Sequence, residues 1–186
     1  MRVTFDRLAD HEWAEVLIER DDGVVYRMHA GPVTAELPHD LVHYTVEDAL
    51  DIADGIWGSI AGGVVFRSMK HVSGRRPPHV AERSVALIRE YRDRLGRAEL
   101  LGGFIESAAH RPDADLPRLA AQAFTTRAAT PGLEAMAGAV AALRRAEQRW
   151  RALPIGGQVV LDWPAHRRIT AAPVRRPKEK ATRRHR

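Results

Sequence analysis

The fold is decided by Trp13-Ala-Glu-Val-Leu-Ile-Glu-Arg-Asp-Asp-Gly-Val-Val-Tyr-Arg-Met-His29. This stretch contains two apolar-rich runs, Trp13 to Glu19 and Val24 to His29, on either side of Arg20-Asp-Asp-Gly23. An Asp-Gly pair between two such runs is a strong hairpin signal, because glycine readily adopts the positive φ that a tight turn requires. The stretch therefore predicts two antiparallel strands, and Gly31-Pro32 ends the second because proline cannot donate to the ladder.

Two further strands are predicted near the ends of the chain. Arg2-Val-Thr-Phe-Asp6 alternates with period two, and Gln158-Val-Val-Leu-Asp-Trp163 follows a Gly-Gly pair. We expect the last strand to join the N-terminal sheet. The order of strands, then helices, then a strand predicts an α+β fold, with a small antiparallel sheet packed on a cluster of helices.

Four helices are predicted between these strands from apolar residues at three- and four-residue intervals. They cover residues 38–53, 80–109, 116–124 and 131–153. The second is long, and a bend or break is expected near Gly96 or Gly102-Gly103. The glycine-spaced run from Ile56 to Phe66 predicts a tightly packed element, since it lacks the Lys-Ser/Thr ending of a phosphate-binding loop.

Composition excludes several classes of protein. The 186 residues are 45% hydrophobic and 28% charged, and they include no cysteine, which excludes disulfides, thiolate metal sites and a cysteine nucleophile. The longest uncharged apolar run, Ile56 to Phe66, is much shorter than the roughly 20 residues of a membrane helix. The first ten residues lack the apolar segment of a signal peptide. We therefore expect a cytoplasmic protein without a membrane partner.

The positive charge is concentrated at the end of the chain. The net charge is +5, but residues 165–186 carry nine Lys or Arg against one acid, Glu179, which leaves 20 basic and 23 acidic residues elsewhere. This division predicts one globular domain over residues 1–164 and a basic, disordered tail over residues 165–186. The tail can associate with nucleic acid or other polyanions electrostatically and without reading their sequence.

One segment gathers ionisable groups at helical spacing: Leu37-Pro-His-Asp-Leu-Val-His-Tyr-Thr-Val-Glu47. His39 and His43 lie one helical turn apart, the spacing at which two imidazoles can bind the same divalent ion. Glu47, one turn further, is a candidate third ligand for zinc, manganese or iron, and Asp40 is a candidate base or orienting group. The pattern resembles the His-Glu-x-x-His motif of zinc metalloproteases, although Asp40 is one methylene shorter than the glutamate of that motif.

Two starting points for this helix remain open, and they decide whether the pair can form. Asp is among the best N-cap residues, and a cap at Asp40 leaves His39 outside the helix. If Pro38 is the first helical residue instead, His39 and Asp40 lie in the first turn, where the helix dipole favours a carboxylate and a neutral imidazole. The pair also has a structural interpretation, in which both histidines hydrogen-bond to carboxylates or carbonyls at the rim of the core.

A basic segment from Lys70 to His79 ends in a Pro-Pro pair and is predicted to be a loop. Its Arg75 and Arg76 are candidate anion-binding residues, while the alternative is a solvated loop without a ligand. The sequence contains no Gly-x-Ser-x-Gly turn, so acyl transfer by a serine nucleophile has no support.

Segments spread along the chain carry a resemblance to other proteins. They are Leu37-Pro-His-Asp-Leu-Val-His-Tyr44, Val46-Glu47, Gly55-Ile-Trp-Gly58, Trp150, Leu153-Pro154 and Trp163. In these segments the chain resembles a group of small, uncharacterised bacterial proteins, actinobacterial ones especially. The resemblance implies a bacterial origin and a single domain, and it carries no activity over to this chain.

Two hypotheses about function follow from the sequence. The first is a non-enzymatic accessory or interaction protein, in which the helices over residues 80–109 and 131–153 present a partner surface and the basic tail assists docking on an acidic partner or nucleic acid. The second is a small metal-dependent hydrolase that uses the two histidines together with Glu47 or Asp40. The sequence leaves the cofactor unknown, with a divalent metal ion (zinc, or manganese or iron) as the candidate under the second hypothesis.

Overall fold

The computed structural model describes residues 1–8, 14–29, 37–111, 115–124 and 130–170. Within them the chain forms five strands and six helices. These are β1 (Arg2–Asp6), β2 (Glu15–Glu19), β3 (Val25–His29), α1 (His39–Ala49), α2 (Ile56–Ala61), β4 (Lys70–Ser73), α3 (Val80–Glu90), α4 (Arg92–Ala109), α5 (Leu116–Ala123), α6 (Leu133–Ala152) and β5 (Gln158–Asp162). In this part of the chain, no helix is long and apolar enough to cross a membrane.

The strands form one antiparallel sheet in the order β4-β3-β2-β1-β5, which confirms the α+β prediction. The β2–β3 hairpin turns at Gly23, whose φ of 77° is the positive value that the Asp-Gly signal predicts. The backbone N–H of Gly23 donates to the carbonyl of Arg20 at 3.0 Å and closes the turn. As predicted, β5 pairs with β1, with Asp162 opposite Arg2.

β4 was not predicted as a strand, because it lies in the segment interpreted as a basic loop. All four of its residues are exposed, so their sequence does not show the apolar alternation that marks a half-buried strand. β4 instead pairs with β3 at the edge of the sheet, with Lys70 opposite Arg27. The loop proper is confined to residues 74–79.

Helix α1 begins at His39, with Pro38 as its N-cap. The backbone N–H groups of Leu41 and Val42 both donate to the carbonyl of Pro38, at 2.9 and 3.0 Å. The helix therefore begins one residue after Pro38, between the two starting points left open by the sequence, and both histidines lie inside it. The helix ends at Ala49, earlier than predicted.

The long helix predicted over residues 80–109 is divided at Tyr91, rather than at Gly96 or Gly102. The backbone of Tyr91 (φ −98°, ψ 12°) departs from helical geometry while its ring is buried, and its hydroxyl donates to the carbonyl of Thr170 at 3.1 Å. The break therefore follows a tertiary contact of an aromatic residue, and local glycine flexibility does not produce it.

Helix α1 lies at the centre of the molecule, in contact with α4, α6 and α2. Its Tyr44 ring packs edge-on against Trp57 at 5.3 Å and Trp163 at 5.2 Å between ring centroids, and Phe5 of β1 contacts the same group. Such edge-to-face contacts add to the apolar burial of the rings. They fix α1 between the sheet and the helices, which also fixes the side chains on its other faces.

The chain remains packed beyond the boundary predicted at residue 164. Arg167 forms an ion pair with Asp48 at 2.5 Å, and Ile169 is 4% exposed and packs with Tyr91. The folded part therefore extends at least to Thr170. Residues 171–186, to which most of the predicted basic tail belongs, lie outside the described residues.

Candidate metal site

Two histidines and one glutamate meet where α1 packs on α4. The Nε2 atom of His43 lies 3.2 Å from Nε2 of His39 and 3.2 Å from Oε2 of Glu99. One ligand atom from each residue lies within 4.8 Å of the other two. Of the predicted ligands, the structure therefore brings together His39 and His43, and it adds Glu99 from α4.

The three side chains span the boundary between core and solvent. His43 is 2% exposed, His39 is half-buried, and the side chain of Glu99 is 55% exposed. The cluster is therefore closed on the side of His43 and open on the side of Glu99. This gradient is suited to a bound ion that solvent or a small molecule can reach from one direction.

Glycine at position 102 allows α4 to approach the buried imidazole. A Cβ atom on Gly102 would lie 2.7 Å from Cε1 and 2.9 Å from Nδ1 of His43, closer than side chains pack. Glu99 lies one helical turn before this glycine, which places its carboxylate beside the same ring. Gly102 was considered from the sequence only as a place where the helix could break, but its role is close packing.

Glu47 was predicted as the third ligand, but it is not part of this group. Its side chain is completely buried, and its two carboxylate oxygens accept the backbone N–H groups of Ile56 at 2.8 Å and Trp57 at 3.0 Å. A Cβ on Gly55 would lie 2.5–2.6 Å from this carboxylate, so a side chain there would displace it. Glu47 therefore caps the N-terminus of α2 through a long-range contact, and its carboxylate is used structurally.

Asp40 lies in the first turn of α1, as the catalytic hypothesis required, and it is half-buried. Its backbone carbonyl accepts a hydrogen bond from Nε1 of Trp57 at 3.2 Å. The group of potential ligand atoms formed by the described residues does not include its carboxylate. Its assignment as a base therefore stays a prediction.

Arg75 and Arg76 are exposed in the loop between β4 and α3. They do not belong to the histidine–glutamate group. Their assignment as anion-binding residues also stays a prediction.

The charges in the cluster shift two pKa values in opposite directions. Burial lowers the pKa of His43, but its hydrogen bond with Glu99 and the nearby carboxylates of Glu99, Glu47 and Asp40 outweigh burial and hold the pKa above the ordinary 6.5. The hydrogen bond with His43 lowers the pKa of Glu99 below 4.5. Without a metal, the pair therefore favours an imidazolium beside a carboxylate.

Burial raises the pKa of Glu47 from 4.5 to about 7, although the two N–H donors from α2 oppose this shift. A carboxyl group whose pKa is raised by folding stabilises the protein below its unfolded pKa, and this contribution is lost as the pH rises through the folded pKa. The raised pKa of His43 likewise gives a contribution to stability that is lost as the pH rises above 6.5. The lowered pKa of Glu99 gives a contribution that is lost only as the pH falls below 4.5.

We therefore expect the free energy of unfolding to be higher at about pH 5.5 than at about pH 8, by about 2 kcal/mol from Glu47 alone. Urea unfolding followed by circular dichroism at both pH values, with a chelator present and ionic strength constant, measures this difference. A free energy of unfolding that is unchanged or higher at pH 8 contradicts the assignment of Glu47 as a buried cap with a raised pKa.

No protein-family model, curated protein or solved structure matches this chain. The resemblance carried by residues 37–44 and the segments after them stays a prediction.

Proposed function

We propose that this protein binds one divalent metal ion through His39, His43 and Glu99. The observation that carries the proposal is the pair of 3.2 Å separations from Nε2 of His43 to the other two ligand atoms. Ligand atoms bound tetrahedrally to zinc at about 2.0–2.1 Å lie roughly 3.3–3.4 Å apart. The three side chains are thus spaced so that an ion can replace their mutual hydrogen bonds with little movement.

Zinc is the ion expected at such a site. Two imidazoles and a carboxylate suit zinc, iron and manganese alike, but affinity for a given site rises from manganese through iron to zinc. Three protein ligands also leave a coordination position for water, as in catalytic zinc sites, and the exposed side of Glu99 leaves that position accessible. The chemistry that such a centre supplies is activation of a bound water for hydrolysis.

The environment of the buried His43 ring limits the zinc affinity that we expect. Nδ1 of His43 is buried and has no hydrogen-bond partner among the described residues. Ligating histidines usually donate this second N–H to an acceptor, and losing such a partner lowers metal affinity roughly 10–100-fold. We therefore expect binding weaker than at a fully supported three-ligand zinc site.

The interaction-protein hypothesis has less support from the described helices. Among the described helices, α3, α4 and α6 each have one large exposed apolar side chain. These are Val85, Leu100 and Leu133. Single exposed apolar residues are ordinary on soluble proteins and do not define a docking surface. Metal binding is therefore the function that we propose first, with hydrolysis as the reaction class.

The test is metal binding by the purified chain and two variants. Zinc titration by calorimetry should give one site per chain, and cobalt substitution should give the absorption of a tetrahedral ion. His39→Ala and Glu99→Ala should each lower zinc affinity at least about 100-fold, more than the loss of a supporting hydrogen bond would. Both positions are partly exposed, so both variants should fold.

Glu106→Ala provides a matched control, because it removes another carboxylate from the same helix outside the ligand group. It should leave zinc affinity unchanged. Absence of stoichiometric binding by the wild-type chain contradicts the proposal, as does equal affinity in the wild type and both ligand variants.

A further inference from the structure

The hairpin turn contains a buried cation that lacks acceptors. The side chain of Arg20 is only 7% exposed, and its Nη2 atom contacts Oδ2 of Asp22 at 2.5 Å. Its Nε and Nη1 atoms are buried and have no hydrogen-bond partner among the described residues. The guanidinium also lies 5.8 Å from the centre of the Tyr26 ring. A buried charge with unsatisfied donors is unfavourable unless another group accepts from it.

A cavity of about 330 Å³ adjoins this guanidinium. Arg83 of α3 and Arg168 also line it, so three arginine residues line one space. Asp21 and Asp22 are its acidic lining residues, and both already have cationic partners. Asp21 accepts the N-terminal ammonium at 2.6 Å, and Asp22 accepts Arg20. The local charge balance is therefore positive.

The same cavity meets the N-terminus of α3. Val80, the first residue of this helix, lines the cavity, and the N-cap residue His79 makes no side-chain capping hydrogen bond. The first backbone N–H groups of a helix have no partner within the helix, and the dipole there favours negative charge. The cavity thus lies beside the N-terminus of α3 as well as beside the unsatisfied donors of Arg20.

We propose that this cavity binds the phosphoryl group of a small phosphorylated molecule. Planar guanidinium groups match phosphate oxygens through paired N–H donors, and a helix N-terminus is a common position for phosphate. The volume is larger than one phosphate needs and falls within the range of small-molecule sites. This site uses neither the histidines nor Glu99, so it does not depend on the proposed metal.

Inorganic phosphate and pyrophosphate are the probes, titrated into the chain by calorimetry with EDTA present and with acetate at equal ionic strength as the reference anion. We expect saturable binding of both phosphates and none of acetate. Arg83→Ala and Arg168→Ala should each weaken binding at least about tenfold, the loss of one charge-assisted hydrogen bond. Both side chains are exposed, so these variants should fold where Arg20→Ala, at a buried position, could fail.

Two arginine variants serve as controls for net charge. Arg89→Ala removes an exposed arginine from the last turn of α3, and Arg92→Ala removes one from the first turn of α4. Both should bind phosphate as the wild type does. Absence of saturable binding overturns the proposal, as does equal weakening by all four variants. Arg76→Ala tests the loop as the rival site, and loss of phosphate binding in that variant alone would also overturn the proposal.

Discussion

Replacement of Glu47 by alanine is expected to lower the free energy of unfolding by about 3–5 kcal/mol at about pH 5.5. The two carboxylate oxygens accept the first two backbone N–H groups of α2, and the side chain is completely buried. Truncation leaves both donors without a partner and creates a cavity in the core, and each effect is unfavourable by itself. Urea unfolding measures the loss.

The pH dependence of the variant tests whether the buried carboxyl of Glu47 titrates with a raised pKa. Since burial raises the pKa of Glu47 to about 7, the wild type loses part of this residue's contribution as the pH rises. The destabilisation by Glu47→Ala should therefore be smaller at about pH 8 than at about pH 5.5. Glu90→Ala, at an exposed position at the end of α3, should change stability by less than about 0.5 kcal/mol at both values.

Gly55→Ala tests the same contact from its other side. Its new Cβ would lie 2.5–2.6 Å from the Glu47 carboxylate and displace it from the N–H groups that it caps. Because both variants disrupt one contact, the double variant should lose less than the sum of the two single losses. Additive losses would contradict a shared contact between Glu47 and Gly55.

The parts of the fold that could be predicted from sequence are those with a local cause. The turn at Gly23 requires a positive φ that the Asp-Gly pair supplies. The apolar alternation of Arg2–Asp6 marks one strand, and the apolar run of Gln158–Asp162 after a Gly-Gly pair marks the other. β4 has no such alternation because all its residues are exposed, and the break at Tyr91 follows from contacts with residues far along the chain. Neither of these causes is visible in a short window of sequence.

In the candidate site, too, only the residues brought together by a local cause could be predicted from the sequence. His39 and His43 were found because the helical repeat brings them together within five residues. Glu99 was missed because it comes from another helix, and Gly102, the local sign of that close contact, was interpreted as a possible helix break. Glu47 has the correct spacing for a ligand, but its partner is the backbone of α2, and helical periodicity cannot distinguish these two roles.

Alanine substitutions at the adjacent glycines of α4 are expected to have opposite effects. The Cβ of Gly102→Ala would lie 2.7 Å from the buried His43 ring, and such overpacking is unfavourable by typically 1–3 kcal/mol. The Cβ of Gly103→Ala would have no neighbouring atom within 4 Å, and alanine favours a helix over glycine by up to about 1 kcal/mol. Because both variants gain the same helix propensity, we expect Gly102→Ala to be the less stable of the two by the overpacking cost alone, about 1–3 kcal/mol.

Gly102→Ala should also bind zinc more weakly than Gly103→Ala. A displaced His43 ring no longer keeps its Nε2 atom 3.2 Å from both His39 and Glu99, so Gly102→Ala should bind zinc at least about tenfold more weakly. Gly103→Ala leaves that arrangement intact and should bind as the wild type does. Weaker zinc binding in both variants would show that the loss of affinity does not depend on the contact between Gly102 and His43. A Gly102→Ala protein with unchanged stability and affinity would show that α4 does not approach His43 as closely as the structure has it.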